Sequence, residues 1–267
     1  MSYTKELDIA LEAAQKAGKY LMAQRGKVRL TAAKPDWKDF LTKQDVESEQ
    51  IIVEHIKKAF PEDAFITEEK MAFSEKEERT WIIDPIDGTA NYLAGIPFFS
   101  VSIGFIKNNV PCVGVVYAPA LKQMFCAEIG KGAKENNFPL HTSQAKVLSE
   151  SLIIVGFNRF KGRELKDVMN KYEKLINVTR DVRRLGSAAI DLCYVASDRA
   201  GAYMERALKP WDIAAGLCIL KEAGGTITNE DGGELDLFRK TEKGYECEGF
   251  IATSNKSIHE KIKERLI

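Results

Sequence analysis

The chain has 267 residues, of which 45% are hydrophobic and 29% are charged. This length and composition allow a large buried core and exclude a disordered or collagen-like polypeptide. Its 39 lysines and arginines balance 39 aspartates and glutamates, so the basic excess typical of a dedicated nucleic-acid-binding protein is missing.

The N-terminal segment is amphipathic and charged, without the continuous apolar run of a signal peptide. No later segment has the roughly 18 consecutive apolar residues that a membrane span requires. We therefore expect a cytoplasmic protein with no membrane partner. Five scattered cysteines without a C-x-x-C pair predict neither a zinc site nor a disulfide framework.

In the N-terminal half, residues 1–140, apolar residues at helical spacing predict two helices. Their expected positions are residues 4–24 and 46–60, with a loop or irregular hairpin at 26–44 between them. Short apolar runs then predict strands, which we expect at residues 65–66, 81–83, 99–106, 112–117 and 124–129.

The C-terminal half, residues 141–267, mixes strands with separate helices. The strands are expected at 152–155 and 250–253, and the helices at 164–176, 187–196, 213–223 and the C-terminus. We find no internal repeat and no low-complexity linker. This pattern predicts a layered α/β or α+β fold, built as one continuous unit over residues 1–267.

Residues 84–89, Asp-Pro-Ile-Asp-Gly-Thr, follow an apolar strand and are the most informative stretch. Asp84 ends the strand, since Pro85 cannot continue a central ladder, and Asp87 follows closely enough to point at the same place. Gly88 permits close approach of a ligand to the backbone. Two carboxylates beside a helix N-terminus indicate a site for Mg²⁺ and a phosphate.

Each acidic motif also has a purely structural interpretation. The 84–89 segment consists of turn-forming residues. Asp212, before an apolar helix, can serve as an N-cap, and Thr42 with Asp45 has the form of a capping box. The adjacent Glu68 and Glu69 can be a solvated charge pair.

Taken together, these motifs resemble those of the inositol monophosphatase family of Mg²⁺-dependent, lithium-sensitive phosphatases. The matching pattern is Thr42-x-x-Asp45, Glu68-Glu69, residues 84–89 and Trp211-Asp212-x-Ala-Ala-Gly, in that order. The resemblance extends from Lys34 to Gly225. Each motif alone is common, whereas the combination is specific.

The resemblance implies a role for every matching position. Glu68, Asp84 and the Ile86 carbonyl would bind one Mg²⁺, and Asp84, Asp87 and Asp212 a second. A weaker third ion would lie near Glu68 and Glu69, giving about two to three ions. Asp45 and Thr89 would activate the attacking water. The implied substrate-binding residues are Asp87, Gly88, Thr89, Gly186, Ser187, Ala188, Glu205 and Asp212, with Lys34 on a nearby loop.

For the whole molecule, the resemblance implies an α/β fold (α+β in some schemes), a layered αβαβα sandwich of the sugar-phosphatase type. It also implies a homodimer that hydrolyses a small phosphate ester without a covalent intermediate. Inositol 1-phosphate is the expected substrate. Fructose 1,6-bisphosphate, dual specificity and a 3′(2′),5′-bisphosphate nucleotide stay open as alternatives.

Three other functions remain as alternatives. The spacing of Cys193 and Arg199 fits the C-x₅-R motif of thiol phosphatases, although an apolar helix there favours a buried cysteine. Residues 84–89 are similar to the D-x-D-G-T motif of aspartyl-phosphate phosphatases, with one extra residue between the acids. Some relatives also regulate transcription, so an RNA- or polymerase-binding adaptor is the non-enzyme alternative, with Arg180, Arg183 and Arg184 as its basic patch.

Overall fold

The computed structural model describes residues 2–27, 30–33, 40–69, 77–157, 162–242 and 244–266. Seven α-helices lie in this part of the chain: α1 Thr4–Gln24, α2 Lys43–Ala59, α3 Thr89–Leu93, α4 Gly162–Ile176, α5 Ala188–Ala196, α6 Pro210–Glu222 and α7 Lys256–Leu266. The predicted helices are confirmed, although α2 and α6 each begin three residues before their predicted starts at 46 and 213.

The larger sheet has seven strands in the order β3-β4-β5-β6-β7-β8-β9. Only β3 and β4 run parallel among these pairs. The strands are β3 Ala64–Thr67, β4 Arg79–Asp87, β5 Ser100–Lys107, β6 Val110–Ala118, β7 Gln123–Glu128, β8 Ala133–Glu135 and β9 Phe138–Pro139.

The smaller sheet has five strands in the order β11-β10-β12-β16-β13. The remaining strands of the described residues form two short antiparallel pairs, β1-β2 and β14-β15. The bounds are β1 Leu30–Ala33, β2 Phe40–Thr42, β10 Leu152–Val155, β11 Asp181–Arg183, β12 Ala202–Glu205, β13 Thr226–Asn229, β14 Arg239–Thr241, β15 Gly244–Glu246 and β16 Phe250–Thr253.

Helices α1 and α2 cover one face of the seven-stranded sheet. The buried side of α1 is mostly alanine, which lets the helix lie close to the strands. On α2, the Thr42 hydroxyl and the Asp45 carboxylate form the predicted capping box. The apolar core of this layer is centred on the fully buried Trp81 and Phe105 of the sheet.

Helices α5 and α6 form the middle layer. Both are apolar around most of their circumference, as expected for helices covered on two sides. Their core includes side chains from both sheets, such as Phe125 of the larger one and Phe250 of the smaller one. Helices α4 and α7 cover the outer face of the smaller sheet. The layers therefore follow the predicted αβαβα order.

Two glycines of the larger sheet allow α6 to approach it closely. A Cβ atom at Gly114 would lie 2.3 Å from the Ala215 carbonyl oxygen, and one at Gly104 would lie 3.1 Å from the Ala214 Cβ. Neither contact leaves room for a larger residue without a shift of the helix. The glycines thus fix how deeply α6, which carries Asp212, lies on strands β5 and β6.

The prediction that the strand ends at Asp84 is wrong. Strand β4 continues to Asp87, and its register against β5 shifts between Asp84 and Asp87. Pro85 lies inside this irregular segment, where a missing N–H does not interrupt a regular ladder. The Ser48 hydroxyl donates to the Pro85 carbonyl at 3.2 Å, so the bulge is fixed from α2.

None of the helices in the described residues is both long enough and apolar enough to span a lipid bilayer.

Candidate active site

The bulge of β4 carries two buried carboxylates. Asp84 is 2% exposed and Asp87 is 7% exposed. The N–H of Ile86 donates to Asp84 Oδ1 at 2.9 Å, so the turn of the bulge is closed by the aspartate itself. Gly88 follows as the N-cap residue of α3, in the left-handed conformation.

A third carboxylate comes from the start of α6. Asp212 is the third residue of this helix and not its N-cap as the structural interpretation expected, because Lys209 occupies that position. The Lys209 N–H donates to Asp212 Oδ2 at 2.7 Å. One oxygen each of Asp84, Asp87 and Asp212 lies within 4.8 Å of the other two. We call these three residues the aspartate cluster.

The electrostatics of the aspartate cluster favour a bound cation. Burial, followed by the charges of Glu68, Asp87 and Asp212, raises the pKa of Asp84 well above its usual value. Burial also raises the pKa of Asp87 to about 6, against the effect of its hydrogen bonds. Crowded carboxylates destabilise each other's charged forms, and a divalent cation held by oxygen ligands removes that repulsion. The residues present therefore fit a hard metal ion.

Asp87 also binds the N-terminal end of α5. Its Oδ2 accepts from the Ser187 hydroxyl at 2.5 Å and from the Ala189 N–H at 2.8 Å. Its Oδ1 accepts from the Ala188 N–H at 3.2 Å. The predicted substrate-binding residues Ser187 and Ala188 thus contact Asp87 directly, and a carboxylate at a helix N-terminus is a favourable arrangement.

Asp45 and Thr89 lie together although they are 44 positions apart. Asp45 is fully buried, and its Oδ2 accepts from the Thr42 N–H at 2.7 Å and the Thr42 hydroxyl at 2.5 Å. Its Oδ1 lies 3.4 Å from the Thr89 hydroxyl, which also lies 3.0 Å from the Ile86 carbonyl oxygen. The cap of α2 therefore holds Asp45 against Thr89.

Glu68 is part of the carboxylate group around Asp84, and Glu69 follows it in the chain. A hydrogen bond and the charge of Glu68 both contribute to the raised pKa of Asp84, so Glu68 faces the aspartate cluster. The Glu69 N–H donates to Glu49 Oε2 at 2.8 Å, and the Thr67 hydroxyl donates to Glu49 Oε1 at the same distance. Glu49 of α2 thereby fixes the turn that presents both glutamates.

Glu205, at the end of β12, lies close enough to the aspartate cluster for its charge to act on Asp87. Its negative charge is one of the causes that raise the pKa of Asp87. The loop around Gly186 is held by Asn91 of α3, whose Nδ2 donates to the Leu185 and Phe98 carbonyls, both at 2.8 Å. Predicted site residues from both halves of the chain therefore surround the aspartate cluster.

The family model described as "Inositol monophosphatase family" matches residues 3–266 of this chain. The chain belongs to the inositol monophosphatase family. The resemblance found in the sequence motifs is confirmed.

Individual relatives carry two kinds of name. "Fructose-1,6-bisphosphatase/inositol-1-monophosphatase" from Thermotoga maritima is 38% identical over 257 residues, covering 96% of this chain and 93% of the relative. "Nus factor SuhB" from Haemophilus influenzae is 40% identical over 233 residues, covering 86% of this chain and 87% of the relative. The solved structure of a Thermotoga maritima IMPase has a TM-score of 0.88 at 35% identity, and the match covers 98% of this chain and 96% of that chain.

The inositol monophosphatase family is a family of metal-dependent phosphatases, and the aspartate cluster of this chain agrees with that membership. Lys34, the predicted loop residue, lies outside the described residues.

Sequence reasoning missed the residues that hold the site together. Glu49 lies four positions after Asp45 on α2, which places both side chains on one helical face. That spacing was a usable signal. The Ser100 hydroxyl lies 3.3 Å from the Ser187 hydroxyl and 3.5 Å from Asp87 Oδ2. No pattern in the sequence indicated this role, because the contacts of Ser100 arise from the fold.

The thiol-phosphatase alternative finds no support in this geometry. Cys193 is fully buried in α5, and burial raises the pKa of its thiol well above the usual value. Arg199 pairs with Glu135 at 2.8 Å and does not form a phosphate-binding loop with the cysteine.

We expect Cys193→Ala to keep kcat within about twofold of wild type while lowering stability by roughly 1–2 kcal/mol, the usual cost of a small buried deletion. Steady-state kinetics and urea unfolding measure the two effects. Loss of all turnover in a folded Cys193→Ala protein would restore the thiol alternative.

We expect the metal-free protein to lose stability as the pH rises from about 5 to 7. Because Asp84 and Asp87 have raised pKa values when folded, these two carboxyls hold more protons in the folded state than in the unfolded state in this window. Raising the pH then favours unfolding. Burial lowers the pKa of His259, which acts in the opposite direction, and this contribution is shared by wild type and Asp84→Asn. Urea unfolding in EDTA should show a steeper decline for wild type than for Asp84→Asn, and equal slopes would contradict the assignment.

Proposed function

We propose that this protein hydrolyses the phosphate monoester of a small polyol or sugar with Mg²⁺ as its cofactor. The expected first substrate is inositol 1-phosphate. The observation that carries the proposal is the buried cluster of Asp84, Asp87 and Asp212, whose oxygens approach within 4.8 Å. Such a donor set with phosphate nearby suits Mg²⁺, which prefers few carboxylates and retained waters.

In this proposal Glu68, Asp84 and the Ile86 carbonyl hold one ion, and the aspartate cluster holds a second. Glu68 and Glu69 lie beside a weaker third. Mg²⁺ would neutralise charge on the phosphoryl group and lower the pKa of a bound water.

The role proposed for Asp45 and Thr89 is to orient the attacking water and accept its proton. Thr42 donates two hydrogen bonds to Asp45 Oδ2, and Asp45 Oδ1 lies 3.4 Å from the Thr89 hydroxyl. When Thr89 donates to Asp45 or Ile86, its oxygen can accept a hydrogen bond from water. The proton of that water can then pass through Thr89 to Asp45.

For substrate binding, we propose that the N–H groups of Gly88 and Thr89 hold phosphate oxygens. Gly186, Ser187 and Ala188 would form one wall of the pocket, with Ser187 and Ala188 acting through Asp87. Glu205 would accept hydrogen bonds from substrate hydroxyls, since a carboxylate can accept several.

Fructose 1,6-bisphosphate is the main substrate alternative, and the double name of the Thermotoga maritima relative favours dual specificity. A 3′(2′),5′-bisphosphate nucleotide is the third choice. In the sequence, Arg159, Lys161 and Arg163 follow the strand at 152–155, a position that suits contact with a second phosphate. Arg159 and Lys161 lie outside the described residues, as does the side chain of Arg163.

The test is phosphate release from inositol 1-phosphate, fructose 1,6-bisphosphate and 3′-phosphoadenosine 5′-phosphate, each with Mg²⁺ or EDTA and with or without lithium. We expect Mg²⁺-dependent turnover that Asp84→Asn removes, and no phosphorylated protein after acid quenching. Turnover that persists in EDTA, or a trapped phospho-aspartate, would refute the proposed chemistry.

The second candidate function is that of a regulatory adaptor, favoured by the relatives named "Nus factor SuhB". In this chain Arg180, Arg183 and Arg184 are exposed, although Arg183 pairs with Asp181 at 2.5 Å. Binding of RNA or RNA polymerase that survives Asp84→Asn and is lost on replacing Arg180 and Arg184 with alanine would support the adaptor.

We further propose a single unit over residues 1–267 that forms a homodimer in the cytoplasm. The core shared by α5, α6 and both sheets supports the single unit. Limited proteolysis should release no stable half near residue 140, and light scattering should give twice the chain mass.

A further inference from the structure

The carboxylate of Glu205 is held by a buried tyrosine two residues earlier on β12. Side chains at positions i and i+2 of a strand share one face, so Tyr203 and Glu205 lie side by side. The Tyr203 hydroxyl donates to Glu205 Oε2. Tyr203 is fully buried and its ring packs edge-on against Phe250, with centroids 5.3 Å apart, so the hydroxyl has little freedom to move.

Gly156 bounds the other side of the same carboxylate. A Cβ atom at this position would lie 1.9 Å from Glu205 Cδ, which means that Glu205 occupies the space a side chain would fill. The backbone at Gly156 is fixed on both sides. Its N–H donates to the Met204 carbonyl at 2.9 Å, and its carbonyl accepts from the Tyr172 hydroxyl at 2.7 Å.

Glu205 therefore lies between a hydrogen-bond donor and a backbone surface, neither of which belongs to the aspartate cluster. Its charge contributes to the raised pKa of Asp87, and under the proposed function its carboxylate faces the hydroxyl groups of the substrate. A side chain that binds hydroxyl groups needs a defined direction, because a hydrogen bond weakens steeply with misalignment.

We propose that Tyr203 is a positioning residue that sets the preference of this site for phosphate esters rich in hydroxyl groups, by holding Glu205 over Gly156 in the orientation that accepts those hydroxyls. The inference rests on the proposed function, since it assumes that Glu205 contacts the alcohol part of the substrate. Tyr203 itself touches no reacting atom.

The test compares two substrates in Tyr203→Phe. Phenylalanine keeps the ring and removes only the hydroxyl that donates to Glu205. For inositol 1-phosphate we expect KM to rise about fivefold, because a misdirected Glu205 carboxylate forms weaker hydrogen bonds to the substrate hydroxyls, with kcat within about twofold of wild type. For p-nitrophenyl phosphate, which has no polyol hydroxyls, KM should stay unchanged.

Tyr20→Phe is the matched control. The Tyr20 hydroxyl, on α1, also donates a hydrogen bond to a glutamate, Glu47 of α2. Both variants lose a tyrosine–glutamate hydrogen bond, but Tyr203 is fully buried and Tyr20 is partly exposed, so Tyr203→Phe should lose more thermal stability. Only Tyr203→Phe should change the ratio of the two KM values. Equal KM changes for both substrates, or an unchanged KM for inositol 1-phosphate, would overturn the proposal.

Gly156→Ala provides a second, independent variant. Gly156 does not have a positive φ, so alanine suits the backbone and acts through its contact with Glu205. We expect Gly156→Ala to raise KM for inositol 1-phosphate and to leave KM for p-nitrophenyl phosphate unchanged. If Tyr203→Phe does not fold, the result for Gly156→Ala tests the proposal. Failure of the proposed function would be visible in wild type, which would then hydrolyse none of the polyol or sugar phosphates, and the inference would fall with it.

Discussion

Replacing Asp84 with asparagine is expected to lower kcat/KM by about 10³-fold and to stabilise the metal-free protein at neutral pH. Asp84 belongs to both metal-binding sets that we propose, so its loss should weaken both ions. Asparagine has nearly the same shape, and its side-chain oxygen can still accept from the Ile86 N–H that closes the bulge. The variant therefore removes charge with little change in structure.

The gain in stability follows from the raised pKa of Asp84, which is caused by burial and by the nearby charges of Glu68, Asp87 and Asp212. Without a metal, the ionised carboxylate is less favourable in the folded state than in the unfolded state at neutral pH. A neutral amide removes that cost. The same change removes the metal ligand, so activity and stability should move in opposite directions.

Thermal melting with EDTA and with Mg²⁺, together with phosphate release, measures both effects. Wild type should gain stability on addition of Mg²⁺, whereas Asp84→Asn should gain little. Asp8→Asn, an exposed position on α1, is the matched control and should behave like wild type. Near-normal turnover by Asp84→Asn with Mg²⁺ bound would refute the metal assignment.

Asp87→Asn is expected to remove activity to a similar degree but to be less stable than Asp84→Asn by about 1–3 kcal/mol. The two positions differ in their hydrogen bonds. Both oxygens of Asp87 accept from the start of α5, whereas only Oδ1 of Asp84 accepts from a backbone N–H. An amide at position 87 directs its NH₂ group at one of these donors and leaves that donor unsatisfied.

Urea unfolding of both variants in EDTA tests this difference. Hydrogen exchange should also be faster at the N–H groups of Ala188 and Ala189 in Asp87→Asn, since these lose their acceptor. Equal stability of the two variants, with unchanged exchange in α5, would show that Asp87 does not anchor this helix.

The sequence was most informative where structure depends on neighbours in the chain. The helix over Thr4–Gln24 and the capping box of Thr42 and Asp45 follow from local spacing. The order of layers followed from the family resemblance. The strand boundary at Asp84 was missed because a bulge that tolerates Pro85 is fixed from α2 by Ser48.

Contacts between distant segments could not be predicted from periodicity or spacing. Asp87 contacts Ser187, which is 100 positions away, and Gly156, just after β10, lies against Glu205. Short strands such as β11 and β14 have only three residues each, too few for an alternating pattern to be recognised. In these places tertiary packing decides the structure.

The glycines under α6 have a consequence for ion size. Asp212 belongs to α6, whereas Asp84 and Asp87 belong to β4, so the gap between the carboxylates depends on how deeply the helix lies on the sheet. Mg²⁺ and Ca²⁺ differ in their metal–oxygen distances by about 0.3–0.5 Å. A Cβ atom at Gly104 would lie 3.1 Å from the Ala214 Cβ, so an alanine there would displace the helix by a comparable amount, and an alanine at Gly114, 2.3 Å from the Ala215 carbonyl oxygen, would displace it further. Residues that touch no ligand would thus determine whether the site discriminates between a small and a large divalent ion.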